Sequence, residues 1–247
     1  MSERRRVSRG IFAIPAAAML MPAAAHAQLA LCRLPTTLPL PKLSQPTPTQ
    51  PRRLMPIRGY TLALSWSPEH CAKRGRADGF QCRRGRGTNF GFVLHGLWPN
   101  GPGNSWPQYC RPAERLPPAV LRANLCATPS VDLLQHEWAK HGTCMSRQPG
   151  AYFDQARGLY GRLRFPNMEL LARDGRLTVD GFRQALVAAN ARAVPALPRL
   201  SVQVRLTRDG WLEEVLICFD RRMKYARCAP QSGVAAPERR LRIRLKN

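Results

Sequence analysis

Five histidines stand in a chain that holds 39 lysines and arginines, and three of them keep unusual company. His95 lies in Phe92-Val-Leu-His-Gly-Leu-Trp-Pro-Asn100, and His136 and His141 lie in His136-Glu-Trp-Ala-Lys-His-Gly-Thr-Cys144. On a regular helix at ~100° per residue with His136 at zero, Lys140 falls near ~40°, Glu137 near ~100° and His141 near ~140°. Two imidazoles, an ammonium and a carboxylate then share one broad face, while Trp138 and Ala139 turn toward a core. A solvated helix face with one Glu–Lys pair fits this segment alone equally well.

His136-Glu137 also begins like a zinc-protease motif, but the spacing is HExxxH. On a regular helix these histidines stand ~140° apart, against the ~40° of HExxH that lets both reach one metal. No third set of ligands stands out elsewhere, so zinc is disfavoured. Without a metal, the same groups suit cleavage of a phosphodiester beside a 2′-hydroxyl. A neutral imidazole takes the 2′-OH proton and a protonated one donates to the departing 5′-oxygen. A cation then offsets the charge of the pentacoordinate phosphorane. Imidazole serves both proton roles because its ordinary pKa, ~6.5, lies near working pH, and each role is typically worth ~10²–10⁴ in rate. DNA lacks the 2′-hydroxyl, so selectivity for RNA follows from the chemistry.

These groups need elements to hold them. Tyr60 to Trp66 alternates like a strand, and Asn89 to His95 reads as a second strand ending at the histidine. Between them, Glu69 to Thr88 reads as a basic, glycine-containing loop. Helical patterns cover roughly Ala113 to Leu125, Val131 to His141, Tyr152 to Leu163 and Val179 to Arg192. Ser201 to Thr207 and Trp211 to Phe219 flank Asp209-Gly210, a hairpin signal, and Leu241 to Leu245 alternates as a last strand. Helices and strands intersperse without a βαβ rhythm. This predicts an α+β fold, a mainly antiparallel β-sheet packed with several helices.

The 247 residues suit one domain with extra segments, and 44% hydrophobic residues is ordinary for a globular rather than a disordered chain. The charge is not ordinary. Thirty-nine basic against 15 acidic side chains leave +24, a field that draws nucleic acid, anionic membrane surfaces or acidic polysaccharide. Arginine on solvated faces gives the same total, so charge sets only a direction. Arg4, Arg5, Arg6 and Arg9, an apolar run from Ile11 to Met21 and then Ala25-His26-Ala27 read as a secretory signal peptide over 1–27. Cleavage after Ala27 removes four Arg and one Glu, leaving 24 − 3 = +21. That run is too short for a comfortable span, and no later stretch suits a bilayer. The expected location is periplasmic or extracellular. Residues 28–56 are rich in Pro, Thr and Gln and read as a disordered tether, with the folded domain over 57–247. Eight cysteines, all beyond the signal and none in a CxxC pair, read as disulfides.

At His95-Gly-Leu-Trp-Pro99 and His136-Glu-Trp-Ala-Lys-His-Gly-Thr-Cys144 the sequence resembles the T2 family of ribonucleases, whose two active-site signatures stand here intact and in order. The likeness continues loosely from Tyr60 to the C-terminus, through Leu64-Ser-Trp66 and Val215-Leu-Ile-Cys-Phe-Asp220, and stops short of the Pro-rich segment. It implies a ribonuclease T2-like, disulfide-stabilised fold. It also implies a secreted endoribonuclease that cleaves single-stranded RNA without metal or cofactor, through a 2′,3′-cyclic phosphate to a 3′-phosphate. His95 and His141 become the acid–base pair, with His95 as base and His141 as acid in the first step; accounts of the family also divide the roles the other way. His136 would hold the scissile phosphate, and Glu137 and Lys140 would stabilise the phosphorane. Trp98, Asn100 and Trp106 would bind a base, since an aromatic face stacks on a splayed base for ~1–3 kcal/mol and an Asn amide both donates and accepts. The family commonly has tyrosine at the place of Trp106, and Asp or Asn at that of Asn100. Core packing accounts for Trp98 equally well. The resemblance implies disulfides Cys110–Cys144 and Cys218–Cys228, while Cys32, Cys71, Cys82 and Cys126 keep several possible pairings. RNA is the expected partner of a monomer. Two other classes stay open: a binding module that does not cut, and an exported toxin acting on a competitor or host. The full set of groups that cleavage needs argues against the first.

Overall fold

The computed structural model describes residues 32–74, 79–82 and 90–245; the expected signal segment lies outside them. Four antiparallel strands, β1 (Gly59–Trp66), β2 (Phe92–Asn100), β3 (Val202–Leu206) and β4 (Leu212–Asp220), form one sheet in the order β2-β1-β4-β3. One face is apolar, with Leu62, Leu64, Leu94, Leu97, Val215 and Ile217 buried in the main core. The cross-strand register puts Thr61 beside Trp98 and Ser65 beside Glu214 on the other face.

The helices are α1 (Ser67–Arg74), α2 (Gly79–Cys82), α3 (Pro118–Asn124), α4 (Val131–Glu137), α5 (Pro149–Gly161), α6 (Met168–Ala172) and α7 (Val179–Ala189). Tyr152 and Phe153 of α5 and Phe182 and Leu186 of α7 fill the core against the sheet. Ser130 caps α4, its hydroxyl accepting from the Leu133 N–H at 3.3 Å. Consecutive prolines at 117 and 118 delay α3, because proline disfavours helix in the residue before it. The stretch after Glu69, expected as loop, opens instead with α1. Its first-turn Glu69 and last-turn Lys73 and Arg74 complement the helix dipole, and the buried Glu69 pairs with the Arg244 Nε at 2.7 Å. The expected last strand is not formed. Leu241 and Ile243 are buried, but Leu212 N–H and Arg242 N–H bond Arg242 and Gly210 carbonyls at the hairpin, and Arg242 and Arg244 stack over Trp211 at 3.9 and 4.3 Å.

Residues 32–56 form almost no regular structure, yet they are not a free tether. Cys32 is bonded to Cys126, and the Lys42 N–H donates to Asp132 Oδ1 at 2.7 Å. Arg115 donates to the Pro41 carbonyl, and Arg122 to those of Pro35 and Thr36. An extended proline-rich backbone leaves its carbonyls free, and nearby guanidiniums take them. The remaining sulfurs pair as Cys71–Cys82, Cys110–Cys144 and Cys218–Cys228. Among the described residues, no helix is long and apolar enough to cross a membrane.

Candidate active site

β1 and β2 shift register between Ala63 and Leu64: Ala63 pairs with Gly96, Leu64 with Leu94, and His95 is the extra residue. Such a bulge bends the strand and re-aims a side chain. It also changes the phase of β2. Leu94 and Leu97, three apart, both enter the core, which strict alternation forbids. The strand therefore does not end at His95; it runs on to Asn100, with Trp98 brought to the polar face. β2 is an edge, and its outward backbone groups are satisfied by the neighbouring loop and α5. The Leu94 N–H donates to the Ala127 carbonyl at 2.9 Å, and Thr128 Oγ1 donates to the Leu94 carbonyl at 2.7 Å. The Tyr152 hydroxyl donates to the Leu97 carbonyl at 3.1 Å and accepts from its N–H at 3.3 Å.

The second motif is not a regular helix either. α4 passes into a π turn, Trp138–Gly142, and then an α turn, Thr143–Met145. Gly142 is required by the packing, since a Cβ there would meet Trp138 at 2.4 Å and Tyr152 at 2.9 Å. A π turn aligns residues five apart, so a regular wheel overstates the angle between His136 and His141. The angular objection to zinc is thereby weakened. Independently of it, no three His, Cys, Asp or Glu side chains among the described residues form a group able to hold a metal ion.

Glu137 stands at the centre. Its Oε2 accepts from the Trp98 indole N–H at 2.8 Å, and its Oε1 lies 3.6 Å from His95 Nε2. Gly96 makes the room, because a Cβ there would fall 1.8 Å from Glu137 Oε2. His95 Nδ1 lies 2.7 Å from Glu214 Oε1 and 3.3 Å from Ser65 Oγ, and Arg205 donates to the other Glu214 oxygen at 2.8 Å. Trp98 contacts both imidazoles, with ring centroids 5.1 Å from His95 and 5.7 Å from His141. His136 faces elsewhere: its Nδ1 lies 3.0 Å from Ser44 Oγ, itself 3.3 Å from the Tyr109 hydroxyl. The Tyr109 N–H donates to the Lys140 carbonyl at 2.8 Å. Asn100 donates to Thr61 Oγ1 at 2.9 Å at the far end of β2. Trp106 is 40% exposed in the loop beyond, under the Arg53 guanidinium at 4.3 Å.

Burial penalises every charge in this cluster, and the partners decide the outcome. For His95 burial opposes the imidazolium, but the Glu214 hydrogen bond and the charges of Glu137 and Glu214 outweigh it and raise its pKa. Burial pushes Glu214 up, yet His95 and Arg205 together hold it below the usual range. Burial, and then Lys140, His136 and His95, drive His141 well below the ordinary imidazole value. Its Nδ1 is buried without a hydrogen-bond partner among the described residues. His136 is pushed down to about 4 by burial, Lys140 and His95. Burial lifts Glu137 to about 7 against the opposing pull of His95, Trp98 and Lys140. At neutral pH, then, His95 is the imidazole that favours a second proton and His141 the one that stays neutral.

Glu214, Arg205, Ser65, Ser44 and Tyr109 escaped the sequence reading. Adjacent Glu213 and Glu214 within a strand did carry a signal, because alternation forces one of the two onto the inner face. Ser44 carried none, lying in a segment without periodicity. Together the residues place a proton donor, a proton acceptor and a carboxyl titrating near neutrality beside one tryptophan, with the Lys140 ammonium acting on Glu137 and His141 through its charge, a set suited to proton transfer at an anionic centre.

The sequence pattern of the Ribonuclease T2 family matches residues 58–228. A probable ribonuclease of Haemophilus influenzae is 31% identical over 186 residues, covering 70% of this chain and 61% of that protein. The chain thus spans less than two thirds of that relative. A ribonuclease of Aeromonas hydrophila is 36% identical over 173 residues, covering 66% of this chain and 71% of that protein. The self-incompatibility associated SF11-RNase of Nicotiana alata superposes with a TM-score of 0.57 at 16% identity, over 77% of this chain and 100% of the other, a likeness of fold.

Proposed function

Because the chain belongs to the Ribonuclease T2 family, we propose that it is an exported, monomeric endoribonuclease that cleaves single-stranded RNA without a metal, through 2′,3′-cyclic phosphates to 3′-phosphate ends. In the first step His141, neutral in its buried place, takes the 2′-hydroxyl proton as the 2′-oxygen attacks phosphorus. His95 gives a proton to the 5′-oxygen as the P–O5′ bond breaks. In the second step His95, now neutral, takes a proton from water attacking the cyclic phosphate, and His141 returns one to the 2′-oxygen. This division reverses the one expected first from the resemblance. Its support is the opposite displacement of the two imidazoles, His95 raised against its own burial by the hydrogen bond and charge of Glu214, His141 lowered by burial.

Glu214 gives His95 its orientation. A carboxylate held down by Arg205 accepts Nδ1–H and leaves Nε2 as the nitrogen that faces substrate, as in other carboxylate–histidine pairs. Glu137 acts in its protonated form, donating to a phosphoryl oxygen where a carboxylate would repel it. Lys140 and His136 supply the cationic side, and a bound phosphate raises the His136 pKa toward protonation. Trp98, whose N–H is spent on Glu137, positions that carboxyl, while the exposed Trp106 offers its face to a base beside Asn100. Export is supported by the signal-like N-terminus and the four disulfides.

The observation that carries this reading is the His95–Glu214 pair and the buried His141, both in ring contact with Trp98. Its test is cleavage of a dinucleotide in excess EDTA with identification of the products. A 2′,3′-cyclic phosphate that later opens to a 3′-phosphate is expected. Loss of activity in chelator, or a 5′-phosphate product, overturns the mechanism; RNA binding without cleavage returns the protein to the binding class.

A further inference from the structure

The segment 32–56 lies outside the stretch that matches the family, yet it borders the site on two sides. Ser44 touches His136, and Arg53 covers Trp106. Between these contacts Ser44, Gln45, Thr47, Gln50, Tyr109 and His136 line a cleft of about 750 Å³, within the range of small-molecule sites. Its polar groups are hydroxyls, side-chain amides and one imidazole, with no carboxylate, lysine or arginine among the lining residues. Such a lining suits neutral partners that both donate and accept, as base edges and ribose hydroxyls do, rather than a bare anion.

Both walls are fixed. Thr47 and Gln50 exchange backbone hydrogen bonds at 3.1 and 3.0 Å, and Arg53 and Gln108 do so at 3.0 Å each way. Upstream, the Cys32–Cys126 bond and the Lys42–Asp132 contact anchor the chain. Opposite, Tyr109 sits at φ +51°, a left-handed conformation rare for an aromatic residue, held by its bond to the Lys140 carbonyl. The segment is thus tied to the same π turn that carries His141. His136, the residue assigned to the scissile phosphate, forms the boundary between cleft and cluster. An RNA chain whose phosphate rested there would meet the cleft on the far side of His136.

We propose that this cleft is a nucleotide subsite, built by the N-terminal strap, that receives an RNA residue beyond the pair joined by the scissile bond. The proposal rests on the ribonuclease reading above. Its consequence is a preference for chains longer than a dinucleotide, expressed in KM. The test compares kcat/KM for a dinucleotide and for the same dinucleotide extended by one or two nucleotides at either end. The wild type is set against Gln45→Ala, Gln50→Ala and the double variant. Both side chains are exposed, so melting temperatures should stay unchanged. Extension at one end should raise wild-type kcat/KM about tenfold, the size of one or two hydrogen bonds, and the double variant should lose that gain through KM while cutting the dinucleotide within about twofold of wild type. Equal gains in wild type and variant, or no gain in the wild type, overturn the proposal. An equal loss on the dinucleotide overturns the placement beyond the cleaved pair. A wild type that cuts none of the substrates overturns the ribonuclease reading itself.

Discussion

Replacing Glu214 by Gln removes one negative charge and almost no volume, which makes it a sharp probe of how His95 is prepared. The carboxylate holds His95 Nδ1 at 2.7 Å and is itself held by Arg205 at 2.8 Å. A hydrogen bond to a charged group contributes about 1.5–3 kcal/mol against about 1 for a neutral one. Exchanging the charged acceptor for a neutral one, a difference of about 0.5–2 kcal/mol, should lower kcat/KM at neutral pH by roughly 2- to 30-fold, at 1.36 kcal/mol per factor of ten. The sign of the pH effect follows from the role. With the carboxylate gone, the His95 pKa falls. An acid must be protonated, so the high-pH limb of the kcat/KM profile should move to lower pH while the low-pH limb stays in place. Were His95 the base, the low-pH limb would move instead. Dinucleotide cleavage across pH, with an NMR titration of the His95 ring, reads both quantities. An unchanged titration midpoint together with unchanged limbs would refute the reasoning, and a loss of melting temperature alone would mark Glu214 as merely structural.

Gly96→Ala should be nearly inactive though folded, because its Cβ would displace Glu137 and break the Trp98 bond; overpacking of about 1–3 kcal/mol should appear as a lower melting temperature, and wild-type turnover in that variant would contradict the placement of Glu137. In the wild type, activity should rise with pH through the depressed His141 pKa, hold across mildly acid conditions, and decline on the high-pH side as the two groups that act protonated, the acid His95 and Glu137 at about 7, lose their protons; a maximum on the alkaline side would contradict the roles given to them. Replacing Cys110 and Cys144 by Ser opens a crosslink spanning 34 residues and should cost about 4 kcal/mol by chain entropy, with a larger loss of activity than of binding, since the bond ties the chain after Trp106 to the turn that follows the π turn carrying His141. Denaturant melts and RNA-binding titrations compare the two.

The overall fold was legible because most of its elements obey simple periods. β1 alternates, Asp209-Gly210 turns the β3–β4 hairpin, and α7 keeps its apolar face. The motifs named the ionisable groups, since residue type and order need no geometry. What failed was phase. At His95 a bulge interrupts the period of two, and at Trp138–Gly142 a π turn interrupts the period of 3.6. Both irregularities fall on the cluster itself, where a departure from the regular period re-aims the side chains that the site needs. Long-range partners were invisible for another reason. Ser44 and Glu214 reach the histidines from 92 and 119 residues away in sequence, and no local pattern records such a pairing.

The cysteine connectivity carries a consequence for how the chain is made. Bonds between neighbours in order of synthesis would join Cys32 to Cys71, Cys82 to Cys110 and Cys126 to Cys144, and only Cys218–Cys228 would match the native set. Moreover, the Cys32–Cys126 and Cys110–Cys144 loops overlap without nesting, so neither closes on a finished piece of the molecule. A compartment that supplies only a strong oxidant would therefore trap wrong partners as the chain emerges. Maturation depends on shuffling by thiol exchange, and refolding of the reduced protein should give a higher yield in a glutathione redox couple than under rapid oxidation alone; equal yields would show that the folded backbone selects the pairs before any bond forms.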